Sequence, residues 1–188
     1  EDHHLFTWAQ YGFRKKLSTL DQGLNLHLIC AKYFLAKKES VYLAFMDLSQ
    51  AFDCVDRHKL WDMLTTIGMD ENIVLFLRQL HASTTARVVM DEYGNTSGAI
   101  NVNRGVRQGC IMAPFLFNVY INNLESHLLK LNVDSPRVGN NFIPLLLYAN
   151  DAVLLARTPR GLQMLLDGYI SFMSTLGLSI NSSKSFIV

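Results

Sequence analysis

Apolar residues recur along this chain with two different periods, and the changes of period mark its elements. Thr19 stands where it can cap a helix running to about Lys38, with Leu24, Leu28, Ala31 and Leu35 spaced for one buried face. "VYLAFMD" (Val41 to Asp47) reads as a buried strand that ends on an acid. Asp56 can cap a helix through Trp61 and Leu64 that stops at Gly68, and Asp70 opens another to about Leu80. "ARVVM" and "AINV" flank "DEYGNTSG", which predicts a hairpin with an irregular loop. After the glycine-punctuated loop "NRGVRQGC", Pro114 suits the first turn of a long helix carrying Phe115, Val119, Leu124 and Leu128. "IPLLLY" and "AVLLA" predict two short buried strands with Ala149, Asn150 and Asp151 between them. Thr158 and Pro159 start one more helix, with Leu162, Leu165, Leu166, Tyr169, Met173 and Leu176 at helical spacing and Gly177 beyond it. A strand-like "SFIV" follows. Sheet and helices without a strict strand–helix–strand rhythm favour the α+β class.

Composition narrows this picture a little. The 188 residues are 49% hydrophobic and 18% charged with a net charge of +1, enough for one sizeable globular domain and unlike a disordered chain. A balance so near zero neither demands nor excludes a nucleic acid, whose binding needs only local basic clusters. "FRKK" (Phe13 to Lys16) and "AKK" (Ala36 to Lys38) are such clusters, though charge runs are most often solvated faces. Cys30, Cys54 and Cys110 are widely spaced and odd in number, which suggests neither zinc nor a disulfide framework but reduced thiols. His3 and His4, adjacent in an acidic terminus, do not make a metal site. Neither a signal peptide nor a membrane-spanning run is legible, so the expected setting is intracellular, cytoplasmic or nuclear, with no membrane partner.

Candidate chemistry centres on acids. Asp47 closes a hydrophobic strand and precedes "LSQAFD" rather than a helix start, so capping does not explain it; Asp53 and Asp56 read better as turn and cap residues. Asn150 and Asp151 interrupt the apolar run "LLLYANDAVLLA" (Leu145 to Ala156). As geometry, Asn-Asp is a good hairpin turn, since both residues tolerate positive φ. A strand-end acid and an acidic hairpin tip could also converge to hold divalent cations, as two-metal phosphoryl transfer requires. Arg107 and Gln108, bracketed by Gly105 and Gly109 ahead of a helix, offer donors to phosphate or base edges.

Together these motifs resemble the reverse transcriptase domain of non-LTR (LINE-type) retrotransposons, in that family's order and over nearly the whole chain. "QYGFRKKLSTLDQ" is similar to its fingers motif and "FMDLSQAFDCVDRHKLW" to the palm motif with the first catalytic Asp. "GVRQGCIMAPFLF" is similar to the loop–helix over the nascent base pair, "YAND" to the Tyr-x-Asp-Asp hairpin, and "GLSINSSK" to the motif that follows it. The resemblance implies an α+β right-hand polymerase palm, an antiparallel sheet packed on helices, with partial fingers and the thumb absent. Residues 1–188 would form a single domain fragment, with 1–40 as partial fingers and 41–188 mostly palm, carrying a fingers-like insertion at about 57–104. Its implied activity is RNA-directed DNA synthesis on an RNA template and DNA primer, from deoxynucleoside triphosphates, with two Mg²⁺ ions in an intact family member.

The implied roles follow position by position. Asp47 would ligate both metals, and Asp151 would be the second acid of the hairpin pair. Phe52 would crowd a ribose 2′-OH. Arg107, Gln108 and Gly109 would line the nucleotide and template pocket. Lys184 would protonate departing pyrophosphate, and Arg14, Lys15 and Lys16 would face template backbone or triphosphate. Asn150 departs from the pattern, standing where the family has a metal-binding Asp. An amide oxygen brings no negative charge to a pair of divalent ions, so weak or absent activity is expected. The alternative reading is a catalytically dead remnant, or a domesticated nucleic-acid or protein-binding module, with the same fold.

Overall fold

In the computed structural model, which describes residues 5–107 and 109–188, a four-stranded antiparallel sheet carries helices on both faces. The strands are β1 (Tyr42–Met46), β2 (Leu48–Ser49), β3 (Thr85–Ala86), β4 (Ile100–Asn101), β5 (Arg137–Val138), β6 (Asn141–Phe142), β7 (Leu145–Tyr148), β8 (Asp151–Ala156), β9 (Ser179–Ile180) and β10 (Phe186–Ile187). The helices are α1 (Thr19–Ala31), α2 (Arg57–Thr66), α3 (Glu71–Ala82), α4 (Ala113–Tyr120), α5 (Leu124–Leu129) and α6 (Pro159–Thr175). The main sheet runs β10-β1-β8-β7; β2 pairs with β9, β3 with β4 and β5 with β6.

Strand alternation supplies both faces of the sheet. Ala44, Met46, Leu147, Ala152 and Leu154 face the main core, where Leu116 and Phe117 of α4 and Leu165 and Tyr169 of α6 are buried. Leu146 and Leu155 face the other way and pack with Ile29 and Tyr33. A sheet covered on both sides reads as a near-continuous apolar run, which is why "LLLY" and "AVLLA" stand out.

Caps fall close to their sequence signals. Asp56 accepts from the His58 and Lys59 amides, Asp70 from Asn72, and Thr158 from Gly161. The first helix is capped by Ser18 rather than Thr19, in a reciprocal box with Asp21, and continues as a π-helical segment over Lys32–Lys37.

Its buried face also differs from the expected one. Leu24, Leu28 and Leu35 are 51%, 56% and 72% exposed, whereas Gln22, Ile29 and Tyr33 are buried. The reason lies at the sheet edge, where the Ala9 and Leu147 carbonyls both accept from the Gln22 amide at 2.7 and 3.0 Å. Each of these carbonyls already accepts one backbone amide, and the buried Gln22 amide, which needs partners of its own away from water, fills their second lone pairs.

The long helix expected after Pro114 is two helices. Between α4 and α5, Asn122 turns its side chain to the preceding segment, accepting from the Thr7 amide and donating to the Leu5 carbonyl. The "ARVVM"/"AINV" hairpin pairs only over β3 and β4, with one further bridge at Val89 and Thr96. Among the described residues no helix is long and apolar enough to cross a membrane, and the three cysteines are unpaired.

Candidate active site

The hairpin of β7 and β8 is tighter than the expected Asn150-Asp151 turn. Tyr148 pairs with Asp151, so the two turn residues are Ala149 and Asn150, and Asp151 begins β8. Ala149 takes the positive φ of +58°. β1 pairs with β8 from Tyr42 opposite Ala156 to Met46 opposite Ala152. One further step along that register sets Asp47 opposite Asp151.

Asp47 is fixed by the segment that follows β9. Its carbonyl accepts from the Asn181 amide at 2.9 Å, and its own amide donates to Ser185 Oγ at 3.1 Å. The Asn181 carbonyl in turn accepts from the Lys184 and Ser185 amides, closing the tight turn that presents Lys184. Asp47, Phe52, Asn150, Asn181 and Lys184 line one open cleft of about 550 Å³.

Electrostatics tie Asp151 to the same place, although its carboxylate does not line the cleft. Partial burial, then the negative charge of Asp47, push the Asp151 carboxyl above the ordinary carboxylate range, while Lys184 opposes them. The phenol of buried Tyr169 rises for the same reasons: burial first, then the charges of Asp151 and Asp47. Asp47, Asn150 and Asp151 thus stand near one another at the end of β1 and the tip of the hairpin. Among the described residues no group of three or more His, Cys, Asp or Glu could hold a metal ion.

The loop after β4 packs on Phe52. That ring stacks on Phe117 with centroids 4.7 Å apart, and the Phe52 carbonyl accepts from the Val106 amide at 2.9 Å. Gly105 makes the approach possible: it has φ of +81°, and a Cβ there would stand 2.7 Å from the Asp53 carbonyl oxygen. Arg107 is exposed, Gly109 takes positive φ, and Gln108 lies outside the described residues. Arg14 is engaged within its own segment, donating to the Thr7 and Gln10 carbonyls and lying over the Phe6 ring. Lys15 and Lys16 are exposed.

Reading the sequence alone missed Arg57. Its guanidinium is buried and donates to four backbone carbonyls, those of His81, Val102, Arg104 and Gly105, at 2.8–3.1 Å. It fastens the end of α3 and the loop leading to Arg107 onto the start of α2. Nothing in the sequence marks it, because an arginine one residue after a cap reads as a solvated helix start.

An antiparallel palm-like sheet with a strand-end acid beside a polar hairpin tip is the architecture of a template-directed polymerase core, and the comparisons agree. The apo telomerase of Candida tropicalis, truncated from its C-terminal domain, superposes with a TM-score of 0.69 at 15% identity, over 96% of this chain and 36% of that one. That likeness shows the fold. The family model described as reverse transcriptase (RNA-dependent DNA polymerase) matches residues 1–188, and the chain belongs to that family. The Pol polyprotein of the R2DM element of Drosophila melanogaster is 33% identical over 149 residues, 79% of this chain and 14% of that protein. An R2 Pol polyprotein of Popillia japonica is 27% identical over 180 residues, 94% of this chain and 25% of that protein. The RNA-directed DNA polymerase of the jockey element of Drosophila melanogaster is 27% identical over 183 residues, 93% of this chain and 19% of that protein. The chain is therefore a reverse transcriptase domain of the non-LTR kind, and it spans a quarter or less of these relatives' length.

Proposed function

We propose that this chain is the nucleotidyl-transfer part of an RNA-directed DNA polymerase, impaired by Asn150. The supporting observation is the meeting of Asp47, Phe52, Asn150 and Lys184 around one cleft, from segments far apart in sequence. Residues 1–40 act as fingers and 41–188 as palm, with 57–104 as a fingers-like insertion. RNA template and DNA primer run past Lys15 and Lys16, and a deoxynucleoside triphosphate lies between the cleft and Arg107, Gln108 and Gly109.

In the reaction the primer 3′-hydroxyl gives up its proton to solvent water as its oxygen bonds to the α-phosphorus, the bond from that phosphorus to the β-phosphate oxygen breaks, and pyrophosphate leaves. Lys184 supplies the leaving group with a proton. Phe52, braced on Phe117, fills the space that a ribose 2′-OH would need. Arg14, bound to its own backbone, orders the fingers segment instead of touching substrate.

The donor set fits one Mg²⁺ and not a pair. Asp47 and the Asn150 side chain, which line the cleft, would hold that ion together with substrate phosphates, and Asp151 would add its charge from beside the cleft, since Mg²⁺ is ordinarily bound by one or two carboxylates and substrate phosphates. When bound, the ion would supply positive charge to offset the negative charge of the triphosphate. Loss of one preorganised charge costs on the order of 10²–10³ in rate, and loss of a whole ion costs more.

The test is primer extension on an RNA template with Mg²⁺, using the chain, Asn150→Asp and Asp47→Ala, each alone and fused to a related thumb. The unmodified chain should give no detectable product, Asn150→Asp should gain activity, and Asp47→Ala should stay silent. Robust extension by the unmodified chain, lost in Asp47→Ala, would overturn the impairment. The missing third carboxylate also supports a second reading, a non-catalytic binding module. Failure of Asn150→Asp even with a thumb would favour it.

A further inference from the structure

We infer that Gln10 is a positioning residue whose side-chain amide, paired with both backbone groups of Ala149, sets where Asn150 and Asp151 stand beside Asp47. The inference rests on the polymerase reading of the cleft and adds to it a residue from the opposite end of the chain.

Residues 9–11 run along the free edge of β7. Leu147 donates to the Ala9 carbonyl at 2.8 Å and Tyr11 donates to the Leu147 carbonyl at 3.0 Å, a parallel bridge between Gln10 and Leu147. From this edge the buried Gln10 side chain reaches the hairpin tip. Its Nε2 donates to the Ala149 carbonyl at 3.1 Å, and its Oε1 accepts from the Ala149 amide at 2.9 Å and the Gly12 amide at 2.8 Å. Both ends of the amide are used, and Asn118 secures the segment by donating to the Gly12 carbonyl at 2.8 Å.

The tip needs such a hold. Two-residue hairpin turns place Gly, Asn or Asp where φ is positive, because a Cβ makes that conformation strained. Here the residue is alanine at φ +58°. Ala149 is also the last residue before Asn150, so a change in its backbone angles swings Asn150 directly. The fit is close: a Cβ on Gly12 would stand 2.1 Å from the Ala149 nitrogen. Three bonds to one amide, a strained alanine and a glycine with no room for a methyl group all bear on one residue of the turn.

The experiment is hydrogen exchange and ¹⁵N–¹H spectroscopy on the whole chain. It compares Gln10→Met, which keeps the volume without the bonds; Gln10→Glu, which keeps the acceptor without the donor; Gly12→Ala; and Val74→Ala, a destabilising control in α3. Gln10→Met should raise exchange at the Ala149 amide roughly tenfold, the loss of one net hydrogen bond, whereas Gln10→Glu, which keeps that amide's acceptor and loses the bond to the Ala149 carbonyl, should raise it less. Both should shift the Asn150 and Asp151 resonances while leaving Leu154 and Leu155 protected. Val74→Ala should leave residues 149–151 unmoved. Should Gly12→Ala fail to fold, the two Gln10 variants decide. A folded Gln10→Met chain with native exchange at Ala149 and unmoved Asn150 would overturn the proposal. A second arm places Gln10→Met in the thumb-fused Asn150→Asp chain, where kcat should fall with little change in KM for the nucleotide. A silent Asn150→Asp parent would count against the polymerase reading alone, because the spectroscopic arm stands without activity.

Discussion

Arg57 and His81 put two basic groups side by side in a buried corner, with no carboxylate among the described residues that hydrogen-bond to either. The Arg57 guanidinium donates to the His81 carbonyl, and His81 in turn donates through Nδ1 to Leu77 with its ring edge-on to Trp61. Four carbonyls satisfy Arg57, so removing it takes a donor from each of them, with the His81 carbonyl keeping a second one in the Thr84 hydroxyl. Arg57→Met should cost about 3 kcal/mol or more in urea unfolding, since bonds to a charged donor are worth about 1.5–3 kcal/mol each. Arg57→Lys should rescue little, because an ammonium cannot fork to the same four acceptors. Burial, followed by the charges of Arg57 and Arg107, lowers the His81 pKa from the usual 6.5, although its bond to Leu77 opposes this. A base depressed in the fold adds stability above its unfolded pKa, and that stability is lost as pH falls through the folded value. Unfolding in urea at pH 7.5 and 5.5 should show a loss in the native chain that is smaller in His81→Gln.

At the scale of elements, α1 separates what periodicity reveals from what it conceals. Its leucine stripe is a good amphipathic signal, and it points to solvent because the Gln22 amide bonds to the sheet edge. Ile29→Ala should therefore cost about 2–5 kcal/mol, as deleting a buried aliphatic side chain does. Leu24→Ala should cost less than about 1 kcal/mol, as an exposed change does. Chemical unfolding of the two variants checks the rotation of the helix. The strands, caps and hairpin were legible because they follow local rules: alternation, an acceptor before a helix, glycine after it. The α4–α5 break and the inward Gln22 were not, because both answer to residues far away in sequence. At the cleft, Asp47 and the Asn150–Asp151 pair could be singled out as polar residues in apolar strands, whereas Gln10 and Arg57 act through backbone groups that no spacing predicts. The turn itself was misplaced by one residue, because Ala149 is a poor turn former until Gln10 holds it.

For the whole molecule, a net charge of +1 leaves nucleic-acid binding to local groups. RNA binding measured against salt should give a straight log–log slope. Lys15→Ala with Lys16→Ala should flatten that slope by about one unit for each phosphate that a lysine no longer neutralises. The same pair of changes should weaken binding to unrelated RNA sequences about equally, since phosphate pairing carries no sequence information.

The bond from Gln10 to Ala149 spans 139 positions, and the Asp47 amide reaches Ser185 across 138. Each closes a loop covering most of the polypeptide, and such closures lose chain entropy before any interaction offsets it. Folding dominated by distant pairings is slow. The β7–β8 hairpin is local and forms without either closure, so its tip should be among the last parts of the protein to take a fixed shape. During synthesis on the ribosome, Gln10 has emerged long before the tip it holds, whereas the Asp47 amide waits for Ser185 to follow.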